Sequence, residues 1–122
     1  MAKKRWFISH ASGAAHHTPM FFKAVNKFAE GERGLTMILP HQEYEMIDKT
    51  KEDIEAADLV LAEISIASTG SGIELGWASA ARKPVIAFHQ GASVISPSIQ
   101  FVADAIHVYI TEEDIIKVLK TL

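Results

Sequence analysis

Asp58-Leu-Val-Leu-Ala62 is an apolar run without the in–out alternation of a half-exposed strand. Such a run suits a strand covered on both faces, as in a parallel sheet with helices on either side. Four further segments resemble it: residues 5–9, Leu35-Thr-Met-Ile-Leu39, Lys83-Pro-Val-Ile-Ala-Phe88 and Ala105-Ile-His-Val-Tyr-Ile110. Helical patterns separate them. Thr18-Pro19 opens one in which Phe21, Phe22, Val25 and Phe28 recur at helical spacing, with a stop near Gly31 to Gly34. A charged segment from about Met46 to Ala57 keeps Ile47, Ile54 and Ala57 on one face. Further helices are expected over about Gly72 to Arg82 and, more briefly, Ser98 to Ala103. A last one is capped by Thr111 with acids in its first turn and runs to Leu122.

Strands alternating with helices imply one parallel sheet with right-handed crossovers. The expected architecture is a single α/β domain over residues 1–122, flavodoxin-like, with five parallel strands in the order 2-1-3-4-5 and helices on both faces. In that topology ligands bind beyond the carboxyl ends of the strands, where the order reverses between strands 1 and 3. The loops Ser9 to Thr18 and Ser65 to Gly72 are therefore the suspects. A chain of 122 residues can bury a core without staples.

Composition narrows the function. With no cysteine the chain cannot use a disulfide scaffold, a thiolate metal site or a thiol nucleophile, and a cytoplasmic setting is the expectation. A net charge of −3 without a basic stripe argues against a nucleic-acid polymer as partner. No segment approaches the roughly 20 apolar residues of a membrane span, and the amino-terminal apolar run is too short for a secretory signal. The six histidines show no i, i+4 pairing with a carboxylate ligand, so no metal or other cofactor is expected.

The chemistry concentrates between Ser65 and Gly76. Ser68, Gly70, Ser71 and Gly72 at the mouth of a helix offer backbone N–H groups, hydroxyls and a positive helix end, which suit an anion such as a phosphate. Glu74 is expected in the first helical turn, facing the same crevice, where its carboxylate could attack an electrophilic carbon. Ser71-Gly-Ile-Glu74 also has the spacing of a capping box, a commoner use of that pattern.

Ala57-Asp58, Ala62-Glu63, then Ser68-x-Gly70-x-Gly72-x-Glu74-Leu-Gly76 and Lys83-Pro84 together resemble the nucleoside 2-deoxyribosyltransferase-like proteins, and within them the 2′-deoxynucleoside 5′-phosphate N-hydrolases. The similarity extends more weakly through Ser93-Val-Ile-Ser96 and covers about residues 54–99. The resemblance implies cleavage of the N-glycosidic bond of a deoxynucleoside or its 5′-monophosphate through a covalent glycosyl-glutamate on Glu74, resolved by water or a second base. It further implies that Ser68 and the N–H groups of Gly70 and Gly72 hold the 5′ end. Ser96 would reach the phosphate of a neighbouring subunit, which makes the protein a homodimer.

Several positions depart from the family pattern. The tyrosine of the first strand falls on Trp6 or Phe7, and its arginine in the following loop is missing, where His10, His16 and His17 could donate to an anion beside Ser9 or simply sit exposed. The family's acid falls on Thr50, with Asp48 and Asp53 nearby on a charged helix where both also read as solvated surface. His41 after strand 2 is a candidate for contact with the base, Asp58 reads as a cap on a neighbouring backbone group, and Glu63 could touch ligand or solvent. Phe21, Phe22 and Phe28 read as core, while Trp77 could wall the pocket or an interface. Two alternatives remain at this level: a nucleotide-binding sensor without turnover, motivated by the missing groups, and a flavin-binding electron carrier, for which residues 10–18 are poor in hydroxyl donors.

Overall fold

The computed structural model describes residues 3–39 and 47–122. In chain order the elements are β1 (Lys4–His10), α1 (Ala14–His17), α2 (Pro19–Glu30), β2 (Leu35–Ile38), α3 (Ile47–Ala56) and β3 (Leu59–Glu63). They continue with α4 (Thr69–Ala80), β4 (Val85–Gln90), a 3₁₀ turn (Pro97–Phe101), β5 (Ala105–Tyr109) and α5 (Glu112–Leu119). All strand pairs are parallel, as the alternation of apolar runs and helices implies, and the order is β2-β1-β3-β4-β5, the expected flavodoxin-like one. No helix among the described residues is long and apolar enough to cross a membrane.

Because strand side chains alternate, the sheet sorts its residues onto two faces. Trp6, Ile8, Leu59, Leu61, Ile86 and Phe88 pack with Phe21, Ala24 and Val25 of α2 and Ile115 and Leu119 of α5. Phe7, Val60, Ala62, Val85 and Ala87 pack on the other face with Ile54 of α3 and Leu75 and Ala78 of α4. All five residues of β3 are buried, as the apolar run predicts for Leu59 to Ala62, and the burial extends to Glu63. Full burial of each large side chain contributes about 1.5–3 kcal/mol. The register aligns Ser9 with Ala62 and Ala62 with Ala87 on the α3/α4 face. One residue further, His10 and Glu63 turn to the α2/α5 face.

Strand starts are pinned by aspartates. Arg5 donates its N–H to Asp58 Oδ2 at 2.8 Å, and Asp58 returns its own N–H to the Arg5 carbonyl at 2.8 Å. Asp104 does the same for Val85, accepting at 2.7 Å and donating at 2.8 Å. Asp58 is thus a backbone cap that holds β1 to β3. At the last helix, Thr111 and Asp114 form a capping box, so α5 starts where its sequence expects.

Several helix boundaries differ from expectation: α5 stops at Leu119 rather than Leu122, and the short helix expected over Ser98 to Ala103 is a 3₁₀ turn over Pro97–Phe101. The one-turn α1 has no sequence signal beyond Gly13, whose left-handed φ of 78° turns the chain into it. More consequentially, α4 begins at Thr69 rather than near Gly72, with Ser68 as its N-cap.

Candidate active site

The start of α4 decides which groups the crevice can use. Ser68 Oγ accepts from the N–H of Ser71 at 3.3 Å, and the Ser68 carbonyl accepts from the N–H of Gly72 at 3.0 Å. The cap is therefore Ser68, and the Ser71–Glu74 capping box does not form. Gly72 is corrected with it, because its N–H is already spent on the first turn of the helix. The N–H groups of Thr69 and Gly70, the first two of α4, meet no acceptor among the described residues and remain available to an anion. Glu74 lies in the second turn, not the first.

There its carboxylate turns to the end of β1. Ser9, fully buried, donates its hydroxyl to Glu74 Oε1 at 2.7 Å, while the hydroxyls of Ser9 and Ser71 lie 3.1 Å apart. Ser71 and Glu74 share one helix face through their i, i+3 spacing, which is why both reach Ser9. Burial raises the pKa of Glu74 above the usual carboxylate range, and the Ser9 hydrogen bond pulls the other way. Among the described residues Ser9 is the only hydrogen-bond donor to this carboxylate.

Ser71, which meets Ser9, also lines a cavity of about 340 Å³ together with Ser68, Thr69 and Ser96, with Ile64 and Ile99 among its apolar walls. Ser96, from the loop after β4, faces the same cavity as Ser68 of its own chain. A methyl group added at Gly72 would meet nothing, and one at Gly70 only Ser68 Oγ at 3.8 Å, so the mouth of α4 has open space in front of it.

Other expected positions land elsewhere. Phe7 is completely enclosed in the α3/α4 core, one alternation below Ser9, and has no surface for a ligand. His10 points to the opposite face, its ring edge-on to Phe22 at 5.0 Å and its Nδ1 2.9 Å from the Ala11 carbonyl oxygen. The strand runs through His10, so its side chain alternates away from Glu74. Asp53 on α3 pairs with Lys49 at 3.6 Å along its own helix, and the backbone places Asp48 in the first turn of α3. His41 lies outside the described residues. Trp77 packs against the α3/α4 core, as Phe22 and Phe28 do against the other. No group of three histidine or acidic residues that could hold a metal occurs among the described residues.

Glu63 is turned away from solvent. It is 1% exposed, accepting from Ser65 N–H through Oε1 and from the Tyr109 hydroxyl through Oε2, each at 2.5 Å. Burial and then the adjacent Glu63 push the Tyr109 phenol far up, so it stays protonated and donates. Sequence reasoning did not find this pair, the contact of Ser71 with Ser9, or the place of Thr69. The i, i+3 relation of Ser71 to Glu74 was the available signal for the Ser71 contact.

Residues 10–113 match the family described as nucleoside 2-deoxyribosyltransferase, a wider span than the central motif alone suggested. Among curated proteins the chain has no match. Among solved structures it is similar to the CMP N-glycosidase of Clostridium botulinum, with 23% identity, a TM-score of 0.70, and coverage of 98% of this chain and 100% of that one. A conserved protein from Enterococcus faecalis V583 gives 15% identity and a TM-score of 0.67, covering 98% and 99% of the two chains. The 2-deoxyribosyltransferase of Bacillus psychrosaccharolyticus gives 18% identity and a TM-score of 0.63, covering 92% and 90%. At such identities these likenesses establish the α/β fold. The sequence match, which runs from the end of β1 through the glutamate of α4 to the start of α5, adds the family: the chain belongs to the nucleoside 2-deoxyribosyltransferases.

Proposed function

We propose that the protein breaks the N-glycosidic bond of a nucleoside or nucleoside 5′-monophosphate, with 2′-deoxyribose as the preferred sugar and Glu74 as the nucleophile. The observation that carries this reading is the contact of Glu74 with Ser9, whose hydroxyl also meets Ser71 on the wall of a hydroxyl-lined cavity. Attack of the carboxylate on C1′ forms a glycosyl ester as the C1′–N bond breaks, and its electron pair leaves with the base, which takes up a proton. Water or a second base then displaces the glutamate and completes hydrolysis or transfer. Partial removal from water makes the carboxylate a less solvated nucleophile, while Ser9 fixes its direction and supplies the hydroxyl that the family's tyrosine provides from β1. Ser68, Ser96 and the free N–H groups of Thr69 and Gly70 hold the 5′-phosphate or 5′-hydroxyl.

The two named neighbours act by the two routes: one is a CMP N-glycosidase, the other a 2-deoxyribosyltransferase. The first supports a nucleoside monophosphate as substrate here. The proton for the leaving base is assigned to α3. Asp53 is already engaged with Lys49 on its own helix, which makes Asp48 the first of the two to test. His41 is assigned to the base, and a second copy of the chain is the expected partner.

The test is chromatographic detection of free base from deoxynucleosides, their 5′-monophosphates and CMP, with and without an acceptor base. Glu74→Ala should lower release on the order of 10³-fold or more, the scale of losing a covalent nucleophile. Release that depends on the acceptor identifies transfer. No release from any substrate by the wild-type protein, with ligand still bound, would leave a nucleotide sensor as the function.

A further inference from the structure

Glu63 is the last residue of β3 and belongs to no step of the proposed reaction, yet it is a carboxylate with 1% of its surface exposed. Burying such a group is costly, and a well-packed apolar residue would often serve stability as well or better. Its hydrogen bonds indicate another purpose. Oε1 holds the N–H of Ser65, the residue at which the chain leaves β3 for the loop that carries Ser68. Oε2 holds the hydroxyl of Tyr109 at the end of β5, itself 2% exposed. Ser65 Oγ in turn accepts from the N–H of Gln90 at 2.9 Å, where the chain leaves β4 for the loop that carries Ser96. Gln90 Nε2 reaches the carbonyl of His17 at 3.2 Å, just before α2.

One network therefore joins the departures of the two loops whose serines, Ser68 and Ser96, both line the cavity. We infer that Glu63 and Tyr109 are positioning residues that set the β3–α4 loop against the β4 loop, and so fix the spacing of Ser68 and Ser96 for the 5′ end of the substrate. This rests on the assignment of that cavity under Proposed function. The pair works from the far side of the sheet: alternation turns Glu63 to the α2/α5 face while the loop it anchors serves the α4 face.

Tyr109→Phe removes one oxygen and leaves Glu63 Oε2 without its donor. The expected result is a KM for the best substrate raised about tenfold, the worth of one buried hydrogen bond, with kcat within about twofold of wild type. Glu63→Gln, whose amide can accept from Ser65 and pair with the Tyr109 hydroxyl, should bring KM back to within about threefold of wild type, whereas Glu63→Leu should not. Amide hydrogen exchange in the unliganded proteins gives a readout independent of activity. Exchange at the hydrogen-bonded amides of Ser65, Ser71, Gly72 and Gln90 should accelerate about tenfold in Tyr109→Phe while α5 keeps its protection. Should Tyr109→Phe not fold, Ser65→Ala removes the hydroxyl that accepts from Gln90 and also meets Tyr109, leaves both Glu63 bonds in place, and should shift KM and exchange in the same direction.

Wild-type KM together with unchanged exchange at Ser65, Ser71, Gly72 and Gln90, or acceleration spread evenly over the whole chain, would overturn the inference and leave a pair that only supports the fold. If even the wild-type protein releases no base, the functional reading fails, and the exchange measurement still decides whether the pair sets the loop.

Discussion

Glu63 and Glu74 are both carboxylates at the carboxyl end of one sheet, and their surroundings could hardly be less alike. Glu63 sits on the α2/α5 face with each oxygen accepting a hydrogen bond, sealed from solvent. Glu74 sits on the α4 face, half-buried, with Ser9 as its one donor among the described residues. A carboxylate sealed from solvent with both oxygens engaged is a structural part, because attacking a carbon would mean giving up those bonds. One that is desolvated but incompletely satisfied keeps a lone pair for chemistry, and its pKa rises as a result. The difference between the two residues is one of partners, and partners can be removed one at a time.

The sharpest test of that contrast is Ser9→Ala. Hydrogen bonds to charged groups contribute about 1.5–3 kcal/mol, so kcat should fall by about 10- to 100-fold. The acidic limb of the pH–rate profile should also move to higher pH, because Ser9 is the group that opposes the effect of burial on Glu74. An unchanged kcat with an unmoved limb would mean that the donor does not tune Glu74, and the comparison with Glu63 would collapse.

Ser68 sharpens it in another way, since this residue both caps α4 and lines the cavity. Ser68→Ala should cost about 1 kcal/mol of stability through the lost cap. Ser68→Asp keeps a good cap but brings a negative charge to the place assigned to phosphate. Its melting temperature should stay near wild type while KM for 5′-monophosphates rises at least about tenfold, with a smaller change for nucleosides. Equal KM changes in the two variants, following stability alone, would make Ser68 a cap and nothing more.

The fold was legible because it is written in local periodicity. Apolar runs such as Leu59 to Ala62, separated by helical patterns, admit little besides a doubly covered parallel sheet, and the strand order follows. The central glutamate was legible too, through a motif of unusual length. What stayed hidden was decided by contacts distant in sequence. Ser68 and Ser71 are equally good caps on local chemistry, and the choice falls to Ser68 in a structure where Glu74 is held by Ser9, 65 residues away, instead of folding back on its own helix. Glu63 looked ambiguous because Tyr109, its partner, is 46 residues further on. His10 was misplaced for a simpler reason: β1 runs one residue beyond the segment first read as strand, and a single step of alternation sends a side chain through the sheet.

The smallest expected effect concerns stability. Burial raises the pKa of Glu74 in the folded protein above its value in the unfolded chain, so folding favours the protonated carboxyl. That contribution is fully present below the unfolded pKa and is lost as the pH rises through the raised folded pKa; at neutral pH the ionised Glu74 is a net burden on the fold. Glu74→Gln keeps the shape and an acceptor for Ser9 while removing the charge. It should therefore melt a few degrees above wild type at neutral pH, with the gap closing as the pH falls below the carboxylate range, as scanning calorimetry across pH would read. A protein that has left a carboxylate partly desolvated and short of donors has given up stability for reactivity there. If Glu74→Gln melts below wild type at neutral pH, the charge of Glu74 supports the fold as the satisfied Glu63 does, and the two glutamates differ in position without differing in kind.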